Sequence, residues 1–144
     1  GEAEAAPVAV AAGEWPVGNG QSIMVVDDER ALLELAEELL AGLGYEPIGY
    51  ETAEAALAAF EAEPERFDAV ITDLALPGMQ GDAFAERLLA RRARVPVMLM
   101  SGNLSAAVEQ RVRSLGVKAV LHKPLGLQEL AEILAGVVAT HRSV

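Results

Sequence analysis

Four apolar runs in this chain each end on residues that could do chemistry. Ile23 to Val26 leads into Asp27, Asp28 and Glu29; Ala69 to Thr72 leads into Asp73; Val95 to Met100 leads into Ser101; Val117 to Leu121 ends near Lys123. If these runs are neighbouring strands of one parallel sheet, their ends lie along one edge. The carboxylates of Asp27, Asp28 and Asp73 then converge with one hydroxyl and one ammonium. Crowded carboxylates repel one another, and the cluster is costly unless a cation joins it. A hard divalent ion with oxygen ligands meets that need. Mg²⁺ takes one or two carboxylates, keeps several waters and suits sites that also receive a phosphate. Lys123 would neutralise a phosphoryl oxygen as a point charge, and Ser101 would donate a hydrogen bond to another. Asp73 would be left to attack phosphorus as a nucleophile and form an acyl phosphate. Metal and lysine would offset charge on the transferring group.

Each group alone has a plainer reading. Asp27, Asp28 and Glu29 suit a helix N-terminus, as cap and first-turn acids. Asp73 suits a turn before Pro77-Gly78. Ser101 before Gly102-Asn103 suits a loop, and Lys123-Pro124 an exposed turn. The conjunction outweighs these readings, because four strand ends in succession carry the groups a phosphoryl site needs.

The elements that must position these groups alternate along the chain. After the first strand, Leu32, Leu35, Leu39 and Leu43 recur at helical spacing, with Leu33 and Leu40 widening the stripe, and Gly44 stops the helix. Glu46 to Tyr50 reads as a weak strand. Thr52 reads as the N-cap of a helix running to about Glu63, with Pro64 just beyond. The buried strand Ala69 to Thr72 is followed by loop chemistry over Leu76 to Gly81. Helices are expected over Asp82 to Arg92, Ser105 to Leu115 and Leu127 to about Ala139. Five strands thus alternate with five helices. Short strands rich in Val, Ile, Leu and Met suit a parallel sheet covered on both faces, a doubly wound α/β fold. Such sheets bind ligands at the carboxyl ends of their strands.

Composition narrows the function. The chain has 144 residues, the size of one domain, and carries 22 acidic against 11 basic residues, a formal net charge of -11. That balance argues against binding nucleic acid or an anionic membrane surface, which need clustered Lys and Arg. No apolar run approaches the ~20 residues of a spanning helix, and no signal-peptide order opens the chain. The sequence has no cysteine, which excludes disulfides and thiolate chemistry. A cytoplasmic location fits these features. Residues 1–21 are rich in Ala, Gly, Glu and Pro without a sustained period and read as a linker or tail, with residues 22–144 as the domain. Within that tail Trp15 and Pro16 could dock on the domain surface, but a mobile, disordered tail is the expected state.

The segments Ile23-Met-Val-Val-Asp-Asp-Glu29, Val70-Ile-Thr-Asp-Leu-Ala-Leu-Pro-Gly-Met-Gln-Gly81, Val97-Met-Leu-Met-Ser-Gly102 and Leu121-His-Lys-Pro124 follow one another at a familiar spacing. Together they resemble the receiver domains of response regulators in two-component signalling, over about residues 22–140. The resemblance implies a flavodoxin-like sheet with strand order 2-1-3-4-5. It implies that Asp73 is the phosphorylated aspartate, that Asp28 binds Mg²⁺ directly, that Asp27 holds metal-bound water, and that the backbone carbonyl of Ala75 is a further ligand. It makes Ser101 the switch hydroxyl and Lys123 the conserved-type lysine, joined to Pro124 by a cis peptide. The partner it implies is a histidine kinase or a histidine phosphotransfer domain. A homodimer through the face of the fourth and fifth helices is compatible with it, and no residue pattern argues for one.

One position departs from the family. A Tyr or Phe usually lies three residues before the lysine and swings inward on phosphorylation; here Val120 stands there. The phosphorylation chemistry is untouched by this change, but the readout must differ. Ala75 and Asn103, two residues beyond Asp73 and Ser101, are placed to tune the lifetime of the phosphoryl group.

The leading expectation is a phosphoacceptor module that catalyses its own phosphorylation and dephosphorylation without turning over a substrate. The Ala/Pro/Gly-rich lead-in resembles the linker before the receiver of a hybrid sensor histidine kinase; a stand-alone regulator is the alternative. Other classes fit less well. A metal-dependent phosphohydrolase with an aspartyl nucleophile commonly has a second Asp two residues on, where Asp73 has Ala75. A flavodoxin-like FMN carrier would have Ser, Thr and Gly after the first strand, where acids stand here. A degenerate docking receiver would not need the complete set of acids, serine and lysine.

Overall fold

The three inner strands of the sheet are mostly apolar, and such runs form where both faces of a sheet are covered. The computed structural model describes residues 15–92 and 94–142. Over them, the elements are β1 Ser22–Val26, α1 Arg30–Gly42, β2 Glu46–Tyr50, α2 Ala53–Ala62, β3 Ala69–Asp73, α3 Gly81–Arg91, β4 Val97–Ser101, α4 Ala106–Ser114, β5 Ala119–His122 and α5 Leu127–Arg142. All strand pairs are parallel, in the order β2-β1-β3-β4-β5. The expected doubly wound fold is therefore present.

Successive strand residues point to opposite faces and join two separate cores. Ile23, Val25, Ile71, Met98, Met100 and Leu121 pack with Leu33, Leu40, Leu130 and Leu134 of α1 and α5. Met24, Val26, Val70, Val97, Leu99 and Val120 pack with Phe60, Phe84, Leu88 and Val112 of α2, α3 and α4. Complete burial of each large side chain contributes about 1.5–3 kcal/mol. β2 is an edge strand, only half buried, and Pro47 in it limits further pairing. That explains its weak sequence signal. Thr52 caps α2 as expected, its hydroxyl accepting the N–H of Ala55 at 3.1 Å.

One expectation needs correction. The buried stripe of α1 is Leu33, Ala36 and Leu40, continued by Leu43, while Leu35 is 40% exposed. Of the expected stripe, Leu43 and the widening Leu33 and Leu40 are buried, Leu32 and Leu39 are half-buried, and Leu35 is turned outward. With leucine on adjacent positions, two helical phases have similar apolar content. The phase chosen puts small Ala36 against the sheet, where it permits close approach.

Residues 15–21 lie against the domain. The N–H of Gly18 donates to Leu43 O at 2.6 Å, that of Gly20 to Gly44 O at 2.7 Å, and that of Glu46 to Gln21 O at 2.8 Å. Gly44 turns at φ +93°, which favours glycine, and Gly18 sits under the Tyr45 ring, where a Cβ would come within 2.5 Å of Cδ1. Trp15 packs against the α1/α5 core. This strap crosses the turn between α1 and β2, at the amino edge of the sheet. Gly18→Leu is expected to lift it and lower stability by about 1–3 kcal/mol. Trp15 is the chain's one tryptophan, so greater acrylamide quenching of its fluorescence reports the release. Quenching and denaturation midpoint both equal to wild type would remove the strap from the folded unit. Residues 1–14 lie outside the described residues.

Candidate functional site

Strand register builds the site. Val26 pairs with Thr72, so Asp27 and Asp73 follow on adjacent strands at one level. Asp73 pairs with Met100, and Ser101 with His122, so Ser101 and Lys123 each stand one step further across the sheet. Sheet pairing thus draws together residues as far as 96 positions apart in sequence, at its carboxyl edge.

The two inner carboxylates are held alike. Asp27 is fully buried; its Oδ1 accepts the N–H of Glu29 at 2.9 Å and its Oδ2 accepts from Lys123 Nζ at 3.1 Å. Asp73 is 7% exposed; its Oδ1 accepts the N–H of Ala75 at 3.3 Å and its Oδ2 accepts from Lys123 Nζ at 3.0 Å. Burial of Lys123 opposes its charge, but hydrogen bonds to Asp73 and then Asp27 outweigh it, and the ammonium pKa is raised. Lys123 is therefore protonated throughout the neutral range. The structure does not use Asp27 to Glu29 as capping acids: Glu29 occupies the N-cap position of α1 without a side-chain bond, and Asp27 turns inward.

One carboxylate oxygen from each of Asp27, Asp28 and Asp73 lies within 4.8 Å of the others. Asp28 is exposed and stands on the open side. Three carboxylates against one ammonium leave a formal charge near -2, and every donor is oxygen. That donor set suits a hard divalent cation. An open cleft of about 490 Å³ covers the cluster, lined by Asp28, Asp73, Ala75, Ser101, Asn103 and Lys123 among others. Asp27 lies outside the lining, fully buried and paired with Lys123. Ser101 is buried, and its Oγ accepts the N–H of Asn103 at 3.2 Å. The Lys123–Pro124 peptide is cis.

Local sequence secures this edge. The N–H of Gly81 donates to Leu74 O at 2.8 Å, and a Cβ on Gly81 would meet Leu74 Cα at 2.8 Å. Only glycine lets α3 start so close to the end of β3. Val120 is not at the cleft. It lies 6% exposed in the core beneath α4, where half-buried Leu104 and Val108 also pack. Sequence reasoning missed Leu32, which lines the cleft, and the apolar groove that Leu32 and Leu35 form with Pro124 and Leu125 beside it. Their signal was the α1 leucine pattern, misread in phase. It also missed the pairing of Asp82 with Arg111, for which spacing gives no sign.

Comparison with known proteins agrees with this geometry. Residues 23–135 match the response regulator receiver domain family. The virulence sensor protein BvgS of Bordetella pertussis is 35% identical over 94% of this chain, which corresponds to 12% of that protein. The response regulator protein FleR of Pseudomonas aeruginosa is 34% identical over 78% of this chain and 24% of its own length. The chain therefore spans a quarter or less of these relatives. A receiver domain from Clostridium thermocellum has the same fold, with a TM-score of 0.82 at 22% identity, covering 85% of this chain and 98% of that one. The receiver domain of a sensor histidine kinase from Pseudomonas aeruginosa PAO1, solved with a magnesium ion coordinated in its active-site cleft, has a TM-score of 0.75 at 26% identity over 83% of this chain and 98% of that one. With strand order, acidic cleft and sequence likeness in agreement, this chain belongs to the response regulator receiver domain family of two-component signalling.

Proposed function

We propose that Asp73 accepts a phosphoryl group from a phosphohistidine, in a reaction that needs Mg²⁺. The observation that carries this reading is Lys123, bridging buried Asp27 and Asp73 at 3.1 and 3.0 Å beneath an open cleft. An Asp73 oxygen attacks phosphorus, the P–N bond breaks, and the imidazole leaves. The N–H of Ala75 orients the carboxylate. The Lys123 ammonium moves from the carboxylate to a phosphoryl oxygen, and Ser101 Oγ donates to another. Asp28, Asp73 and the Ala75 carbonyl would hold Mg²⁺, with Asp27 behind, and the bound ion would supply positive charge that lowers the repulsion between carboxylate and incoming phosphoryl group.

The apolar groove of Leu32, Leu35, Pro124 and Leu125 beside the cleft suits a protein donor. A histidine kinase or histidine phosphotransfer domain fits, as in a cytoplasmic phosphorelay. Among the described residues no helix is long and apolar enough to cross a membrane. The likeness to BvgS is wider than the family-matched span, which favours a receiver module within a sensor histidine kinase over a stand-alone regulator.

The test is incubation with acetyl phosphate and Mg²⁺, read by intact mass. One added phosphoryl group is expected, and none in EDTA. Equal incorporation in EDTA, or label on another residue, would sink the reading; so would steady turnover of a phosphate ester, the mark of a phosphohydrolase. The phosphoryl lifetime tests the cleft wall. Ala75 lines the cleft with a methyl group that cannot hold an attacking water. Ala75→Asn adds one hydrogen bond worth about 1 kcal/mol, so loss of the phosphoryl group is expected to quicken about fivefold. An unchanged decay rate would remove Ala75 from that role.

A further inference from the structure

Val120 has no ring to swing, so the attachments of α4 decide how a change at the cleft reaches the surface. α4 sends only Val112 fully into the core, with Val108 half buried beside it. Its other attachments are polar and lead back to the site. Before its first turn, the N–H of Asn103 is held by Ser101 Oγ at 3.2 Å. On its flank, the Arg111 guanidinium pairs with the Asp82 carboxylate. Asp82 lies in the first turn of α3, next to Gly81, whose N–H donates to Leu74 O at 2.8 Å. The pair therefore ties α4 to the segment that directly follows Asp73. The Arg111 guanidinium holds the Asp82 carboxyl below the usual carboxylate range.

We propose that the Asp82–Arg111 ion pair is a latch that holds α4 in its unphosphorylated arrangement. It sets how far a phosphoryl group on Asp73 can move the surface formed by α4 and β5. The proposal rests on the reading of Asp73 as phosphoacceptor. A phosphoryl group adds negative charge and strong acceptor oxygens. Turning Ser101 Oγ toward it takes the acceptor from the Asn103 N–H, which loosens the start of α4. The Arg111 tether resists the movement that follows. Phosphorylation shifts the α4 equilibrium only by the difference between these effects. Arg111 is 53% exposed and Asp82 20% exposed, so the pair biases α4 without locking it. An exposed pair of this kind changes an equilibrium about two- to fivefold.

The test uses Arg111→Gln, the near-isosteric Asp82→Asn, and the exchanged pair Asp82→Arg with Arg111→Asp, followed by amide NMR of the whole chain. Without phosphodonor, either single variant is expected to move the amide resonances of α4 and β5 in the direction that acetyl phosphate and Mg²⁺ move them in wild type. Phosphorylation by acetyl phosphate is expected to quicken about two- to fivefold, and the exchanged pair to restore both values. Shifts confined to the neighbours of residues 82 and 111 would overturn the latch, as would failure of the exchange to restore them. If wild type itself gains no phosphoryl group, the reading of Asp73 fails instead. The shifts of Arg111→Gln without donor still show whether α4 is released, so the two failures stay distinct.

Discussion

Asp73→Asn is expected to cut phosphoryl incorporation from acetyl phosphate by at least about a thousandfold, because it removes the proposed nucleophile and leaves no second group in its place. Asp28 is exposed on the rim, and Asp27 is fully buried behind Lys123. Asp27 does not line the cleft, and Asp28, which does, is the carboxylate proposed to bind Mg²⁺ directly. The substitution keeps shape: an Asn oxygen can still accept the Ala75 N–H that Asp73 Oδ1 accepts at 3.3 Å. The Asn amide nitrogen would face Lys123 Nζ, donor against donor, and that costs stability. Lost repulsion between residues 73 and 27 offsets part of it, so the thermal midpoint should move little. Mg²⁺ affinity should fall, since one of three converging carboxylates is gone. Incorporation persisting in a folded Asp73→Asn protein would place the acceptor elsewhere.

Lys123→Met is expected to give the largest loss of stability among the site variants. Lys123 is the cation shared by two nearly inaccessible carboxylates, at 3.1 and 3.0 Å. Removing one partner of a buried ion pair costs about 3–5 kcal/mol, since a charge is left uncompensated. Here the two carboxylates also face each other. The loss should be greatest in EDTA and smaller in Mg²⁺, because the more negative site left without the ammonium binds the cation more tightly than wild type does, and each tenfold in Kd returns about 1.4 kcal/mol. Phosphorylation should fall about a hundredfold with the charge that meets the phosphoryl oxygen. Denaturation with and without Mg²⁺ reads the first effect, and intact mass the second. A variant as stable as wild type in EDTA would mean that Lys123 does not hold the acids together. The pH dependence has a definite sign. The folded pKa of Lys123 is raised above the ordinary 10.5. Its stabilisation is therefore full below that ordinary value and is lost as pH rises through the folded one. Wild type should lose it only in alkaline solution, and Lys123→Met should lack that alkaline step.

How much of this was legible in the sequence follows from the range of the interactions. Apolar runs with an acid, a hydroxyl or an ammonium at their ends point to both the parallel sheet and the groups along its carboxyl edge. Period and sheet geometry are local and general, so Asp27, Asp28, Asp73, Ser101 and Lys123 could be named before any coordinates. Thr52 and Gly44 were legible for the same reason, since caps and left-handed turns depend on a few adjacent residues. The phase of α1 was not. Leucine at positions 32, 33, 35, 39 and 40 supports two stripes, and only the sheet beneath chose the one through Leu33, Ala36 and Leu40. The strap of residues 15–21 was also hidden. Its hydrogen bonds are backbone to backbone, and its fit depends on an absent Cβ at Gly18 beneath the ring of Tyr45. The ion pair of Asp82 and Arg111 spans 29 positions, and no spacing rule selects it from the other charges of this acidic chain. Sequence by itself determined the fold and the set of groups at its carboxyl edge. Tertiary structure decided which faces pack, which charges pair, and so what holds α4, because those outcomes depend on contacts between elements and not on any one element's own pattern.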